Sequence, residues 1–162
     1  MSEIIRGERI YLRPMTIEDS SIVVSWRNSE RVLKWMFSQT KISINSHISW
    51  FKSRKSRIDY MIIECLTDTP IGTLNFIFKE NSSAEAGKLI GNVEFLGKGY
   101  AKEAFSLWVK YGFKSLNLKS IYILTKSTNQ NNIILNEKIG FKKSLKLKNN
   151  GVDTIKMEII ND

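Results

Sequence analysis

The stretch Leu96-Gly97-Lys98-Gly99-Tyr100-Ala101 carries the residue types that hold a phosphate-bearing ligand. Two glycines let the backbone come close to a bound group. A helix opening here turns its unpaired N–H groups and the positive end of its dipole into the turn, so the favoured ligand is an anion such as a pyrophosphate. Lys98 adds charge at the mouth. From Ala101 the apolar residues recur as Ala104, Phe105, Trp108, Val109, Gly112, Phe113 and Leu116, which is helical spacing with Lys102, Glu103 and Lys110 off the stripe. Turn and helix therefore form one unit, although a glycine turn alone also suits an ordinary strand-to-helix connection.

Downstream, Ser120 to Thr125 reads as a buried strand, and residues 129–141, opening on Asn129 and closing on Gly140-Phe141, as a short helix stopped by glycine. In order and spacing these elements resemble the GNAT acyltransferases. There a Gln/Arg-x-x-Gly-x-Gly/Ala loop holds the coenzyme A pyrophosphate, and a strand and an Asn-x-x-Ala-x-x-Leu-Tyr-x-x-x-Gly-Phe helix follow. Ala84 to Gly91 is similar to the family's bulged central strand. The chain departs from the pattern at Leu96, where Gln or Arg is usual, at Asn132 in place of alanine, and at Asn136 in place of tyrosine.

The resemblance implies an α/β fold, a single GNAT domain over residues 1–162 with a mixed, mostly antiparallel central sheet and helices on both faces. It implies acetyl transfer from acetyl-CoA, as co-substrate, to a primary amine. Backbone N–H groups at Leu89, Ile90 and Gly91 would polarise the thioester carbonyl, and those from Leu96 through Gly97, Lys98, Gly99 and Tyr100 to Ala101 would hold the pyrophosphate. Asn129 would contact the cofactor while capping its helix. Glu85, or Glu94, would accept the amine proton through water. Asn136 stands where the family's tyrosine protonates the leaving thiolate. An amide hydrogen-bonds to sulfur but delivers no proton at neutral pH, so that proton falls to water or another group, unless Asn136 faces solvent on a shifted helix. With Asn136 at the site, Asn136→Tyr is expected to raise turnover.

The N-terminal third holds Trp26-Arg27-Asn28, then Trp35-Met36-Phe37-Ser38, then Ile42-Ser43 with His47. These short elements are similar in spacing to the amino-sugar N-acetyltransferases of the pseudaminic acid pathway, which act on a UDP-linked 4-amino sugar. By that resemblance Arg27 and His47 touch the nucleotide phosphates, and Met36 and Phe37 line the base or sugar pocket. Taken alone, His47 shares a helical stripe with Ile44, Ile48 and Phe51 and equally suits a satisfied, half-buried histidine, while Arg27 at a helix end equally suits a carbonyl cap. The strand Arg9 to Pro14 also resembles one in the N-terminal acetyltransferases of ribosomal proteins. Three readings stand: a nucleotide-linked amino-sugar acetyltransferase, a protein N-terminal or small-amine acetyltransferase, and a basic binding module without catalysis.

The elements that must position these groups follow from local patterns. Arg9 to Arg13 alternates as a strand ended by Pro14, Thr16 and Asp19 start a helix from Ile17 to Arg27, and Ser43 starts another to about Arg54. Tyr60 to Leu66 and Ile71 to Phe78 read as strands turned at Asp68-Thr69-Pro70, and Lys142 to Lys148 pairs with Asp153 to Ile160 through Asn149-Asn150-Gly151.

A chain of 162 residues, 42% hydrophobic, suffices for one core and one domain. A net charge of +9 points to anionic partners; the basic residues are scattered with no nucleic-acid motif, which disfavours DNA or RNA. One histidine and one cysteine furnish no usual zinc shell. Cys65, inside the strand-like run, is expected to be a buried structural thiol. With no leader and no apolar run near ~18 residues, a cytoplasmic protein without a membrane partner is expected, and a homodimer stays open.

Overall fold

Among the described residues eight strands form one sheet. They are β1 (Ile5–Arg6), β2 (Ile10–Pro14), β3 (Arg57–Glu64), β4 (Pro70–Lys79), β5 (Ser83–Ile90), β6 (Ser120–Lys126), β7 (Lys142–Asn149) and β8 (Val152–Ile160), in the order β1-β2-β3-β4-β5-β6-β8-β7. The computed structural model describes residues 3–162. Every pairing is antiparallel except β5 with β6, which the connecting helix α4 (Tyr100–Lys114) makes parallel. The β7–β8 turn is the two residues Asn150 and Gly151, both at positive φ, as the expected hairpin demands.

Helices cover both faces. On one face α4 and α5 (Gln130–Ile139) bury Phe105, Trp108 and Ile133 against Ile62, Leu74, Phe76, Ala84, Ala86 and Ile121. Trp108 is fully buried, stacks on Phe76 at 4.5 Å and donates its indole N–H to the Asn75 carbonyl; truncating such a residue costs about 3–5 kcal/mol. Gly112 is required there, since a Cβ would stand 2.8 Å from Phe76. On the other face α1 (Ser20–Asn28) and α3 (Ile44–Ser53) cover a second cluster of Met15, Val23, Trp26, Met61 and Ile63, with Phe51 and Leu89 packed against it.

Thr16 and Asp19 form the expected capping box, but its first turn is 3-10, from Ile17 to Asp19, before α1 begins. Ser43 caps α3 by accepting from the Ser46 N–H. Three elements carried too little pattern to be expected, β1, the single-turn helix α2 (Glu30–Leu33) and the 3-10 turn Val93–Phe95. Three expectations need correction. Cys65 lies beyond the end of β3 and is exposed, because the strand stops at Glu64, whose carboxylate gathers the Leu66 and Thr67 N–H groups of the following turn. The β5 strand is unbulged: its pairing with β4 runs unshifted from Gly72/Ile90 to Lys79/Ser83, and the irregularity lies instead between Ile62 and Ile63 of β3. The stripe around His47 is uneven, with Ile44 45% exposed while His47 itself is buried.

Candidate active site

The sheet opens between β5 and β6. The two strands pair only at Ser83/Ser120, Ala84/Ile121 and Glu85/Tyr122, after which Ala86 to Ile90 run on without a partner on that side. Meanwhile β6 stays paired with β8 as far as Lys126/Thr154. The Gly91 N–H donates to the Ile71 carbonyl at 2.9 Å, in line with the β4–β5 register. Alternation of an antiparallel ladder then turns the polar groups of Leu89 and Gly87 toward β4 and those of Ala86, Lys88 and Ile90 into the opening. Of Leu89, Ile90 and Gly91, Ile90 is thus the residue whose N–H faces the gap, and Lys88 joins it.

The glycine turn stands beyond the end of β5. Gly97 and Gly99 have φ of 71° and 83°, left-handed values that favour glycine, and Gly99 is the N-cap of α4 with no side chain to cap it. The first intrahelical bond is from the Glu103 N–H to the Gly99 carbonyl, which leaves the N–H groups of Tyr100, Ala101 and Lys102 free for a ligand. Arg9 braces this turn: it donates to the Lys98 carbonyl at 2.9 Å, pairs with Glu103 at 2.7 Å and lies 4.1 Å over the Tyr100 ring. The Lys98 ammonium bonds back to the Glu94 carbonyl at 2.8 Å, and Leu96 is 39% exposed. Asn129 caps α5 by accepting from the Asn132 N–H, so its capping role is present.

The short helix α2 and Lys34 after it span the mouth of the opening. Arg31 donates to the Ile90 carbonyl at 2.6 Å, and Lys126, the last residue of β6, donates to the Lys34 carbonyl at 3.0 Å. Residues 31–34 thereby join the ends of the two diverging strands, and the half-buried Met36 and Phe37 follow directly after the second tie. Arg31 went unnoticed in sequence because nothing marks a surface arginine as bridging two strand ends.

On the face of α1 and α3, Asp59, Asn75 and Gly87 are aligned across β3, β4 and β5. Asp59 accepts from Arg57 at 2.6 and 3.0 Å and pairs with Arg54 at 3.0 Å. Arg27 is close enough to feel the charges of Arg57 and Asp59, and His47 feels that of Arg27. Three guanidinium groups thus gather around one carboxylate. The Arg27 Nε is buried and has no hydrogen-bond partner, and burial, then the Arg57 charge, hold Arg27 below its ordinary value. The row ends at Gly87, over which the Asn75 amide lies; a Cβ there would stand 2.6 Å from it. Two strand spacings of about 4.8 Å put the arginine cluster ~10 Å from the opening. His47 is 3% exposed and its Nδ1 is hydrogen-bonded to Ser20 Oγ at 3.0 Å. Burial, then Arg27, push its pKa down, so it is neutral at pH 7. Glu85, on this same face by strand alternation, accepts from the Tyr122 hydroxyl at 3.4 Å and lies 4.0 Å from Lys79.

On the α4 and α5 face, Asn136 is completely buried, which excludes the solvent-facing alternative. Its Oδ1 accepts from the Lys88 Nζ at 2.6 Å and its Nδ2 approaches Met157 Sδ at 3.6 Å. The Lys88 ammonium also lies 4.3 Å from the centre of the Phe105 ring, and loss of solvation pushes its pKa down to about 7. A signal for Lys88 was present: it continues the inward series Ala84, Ala86 at the strand period, where a lysine is out of place.

Among the described residues no helix is long and apolar enough to cross a membrane. The acetyltransferase (GNAT) domain family matches this chain over residues 9–142. The uncharacterized N-acetyltransferase p20 of Bacillus licheniformis is 32% identical over 152 residues, covering 87% of this chain and 83% of that protein. The uncharacterized protein MJ1062 of Methanocaldococcus jannaschii is 29% identical over 145 residues, 88% of this chain, while the chain spans only 30% of that protein's length. Among solved structures, spermidine N-acetyltransferase from Vibrio cholerae in complex with CoA and spermine superposes with a TM-score of 0.84 at 21% identity, covering 94% of this chain and 95% of that one. At that identity the likeness is one of fold.

Proposed function

This chain belongs to the GNAT acetyltransferase domain family, whose members move an acetyl group from acetyl-CoA to an amine, and we propose that its acceptor is a primary amine carried on an anionic molecule, a nucleotide-linked amino sugar. The observation that carries the reading is the arginine cluster of Arg27, Arg54 and Arg57 around Asp59, with the Arg27 Nε buried and unpaired. Such a surplus of positive charge attracts phosphate and repels a polycationic amine. The ~10 Å between the cluster and the opening suits an amine held at one end of a molecule and a phosphate at the other.

The chain's own groups divide the work along β5. The N–H groups of Tyr100, Ala101 and Lys102 hold the pyrophosphate of acetyl-CoA, and the inward N–H groups of Lys88 and Ile90 face the thioester carbonyl. Glu85, on the acceptor face, takes the proton of the attacking amine. Met36 and Phe37 line the acceptor's entrance. His47 is too enclosed for a phosphate contact and instead supports α1 through Ser20.

Purified protein supplied with acetyl-CoA and a panel of UDP-linked amino sugars, spermidine and N-terminal peptides tests the reading through release of free thiol. Turnover of a sugar nucleotide and none of spermidine is expected. Acetylation of the peptides alone would move the function to a protein N-terminal acetyltransferase, and tight acetyl-CoA binding with no acceptor turned over would leave the non-catalytic module.

A further inference from the structure

We infer that Lys88 is the proton donor to the departing sulfur of coenzyme A, and that Asn136 is the positioning residue that fixes its ammonium. The inference rests on the acetyl-transfer reading above.

The geometry is that of a donor placed in the open stretch of β5, on the face opposite that of Glu85. Lys88 lies in the unpaired part of β5, with its backbone N–H turned into the opening and its side chain on the α4 and α5 face. Glu85, three residues earlier, projects from the other face. The two groups therefore lie on opposite faces of β5, Glu85 at the apex where the strands still pair and Lys88 within the open stretch. Asn136 Oδ1 holds the Lys88 Nζ at 2.6 Å, and the Phe105 ring closes over it at 4.3 Å. Leu74 on β4, Phe105 on α4, Asn136 on α5 and Met157 on β8 behind the amide surround this ammonium, and none of them is ionisable. Among the described residues no carboxylate is paired with it, so no negative charge holds the proton on Nζ.

The chemistry balances without another reagent. The amine nitrogen attacks the thioester carbonyl carbon and a C–N bond forms. The C–S bond then breaks with its electron pair remaining on sulfur. One proton passes from Nζ to that sulfur, giving the free thiol and a neutral Lys88 amine. The proton shed by the acylated nitrogen goes to Glu85 and on to water, and Lys88 regains its proton from solvent. A donor at about 7 is well matched to this step. A thiol ionises near ~8.5, so transfer from Lys88 runs downhill, whereas a tyrosine at ~10 would transfer uphill. The amide at Asn136 is then a partner for the lysine rather than a defective acid.

Two measurements test this. In the free protein with 13Cε-labelled lysine, one resonance, lost in Lys88→Met, is expected to titrate near pH 7; a Lys88 midpoint above ~10 would overturn the assignment. In steady-state kinetics with whichever acceptor is turned over, wild-type kcat is expected to fall above about pH 7. Lys88→Met should lower kcat by ~10²-fold or more, erase that basic limb and leave acetyl-CoA affinity near wild type. Lys88→Arg keeps the charge but cannot release its proton, so its kcat should be equally low; Asn136→Asp should move the limb to higher pH. Wild-type kcat and pH profile in a folded Lys88→Met, or wild-type kcat in Lys88→Arg, would overturn the role while leaving acetyl transfer intact. A wild-type protein that binds no acetyl-CoA and acetylates nothing would instead remove the acetyl-transfer reading, and this inference with it.

Discussion

Arg31 donates to the Ile90 carbonyl across 2.6 Å, and this bond fastens α2, a few residues ahead of Met36 and Phe37, to the free end of β5. Lys126 fastens Lys34, the residue after α2, to β6, so two side-chain-to-backbone hydrogen bonds bridge the mouth. Arg31→Ala is expected to raise the KM of the acceptor several-fold through a looser mouth, while the melting temperature stays near wild type because Arg31 is exposed. Steady-state kinetics beside a thermal melt checks both.

Gly99 caps α4 at φ 83°, where a β-branched residue is strained. Gly99→Val should re-aim the N–H groups of Tyr100 and Ala101 and abolish acetyl-CoA binding in a protein that still folds. Calorimetric titration with acetyl-CoA decides it, and unchanged affinity would remove the pyrophosphate assignment.

The Arg27 Nε is buried without a hydrogen-bond partner, and in the proposed function its guanidinium contacts the acceptor. A lost charge-assisted contact costs roughly 1.5–3 kcal/mol, so Arg27→Ala should raise the apparent acceptor constant by about 10–150-fold and leave acetyl-CoA affinity unaltered. Equal weakening of both substrates would show that the change is structural.

The lowered pKa of Lys88 also marks stability. The folded value, about 7, lies below the ordinary 10.5, so between these two values the unfolded chain binds more protons and stability rises with pH. From pH 7 to pH 9 the gain from this group is about 2 kcal/mol, present in wild type and absent in Lys88→Met. Denaturant unfolding of both proteins at the two pH values measures the difference; parallel curves would contradict it.

Asn136→Tyr reverses an expectation drawn from the sequence. A tyrosine at that position restores the family pattern on paper, but the amide is completely enclosed and bonded to Lys88 and Met157. The larger ring has no room and deprives the lysine of its acceptor, so the variant should lose turnover and ~1–3 kcal/mol of stability. Assay and unfolding of this one variant settle whether the position wants an acid or a partner.

What was legible in the sequence was local. The glycine turn, the stripe of α4, the caps Thr16, Ser43 and Asn129, and the Asn150-Gly151 hairpin depend on residues a few positions apart, and each formed where its pattern lay. The arginine cluster was not legible, because Arg27, Arg54 and Arg57 meet only through the docking of α1 and α3 on β3. Asn136 was read against a family pattern and so as a loss; its partner, Lys88, is 48 residues away. Cys65 was misplaced by two residues of strand end, enough to carry a side chain from core to solvent.

The outer rims of the sheet bear on how the protein behaves in concentrated solution. At one rim β1 is only two residues long; at the other β7 displays Lys142, Lys143, Lys146 and Lys148 and slips register between Lys143 and Leu145. A second chain seeking to add itself as a strand meets too short a template at one side and repelling charge with a broken ladder at the other. Self-templated growth is thereby discouraged at both rims. A further row of unpaired backbone groups lies inside the sheet, along β5 past Glu85, away from both rims.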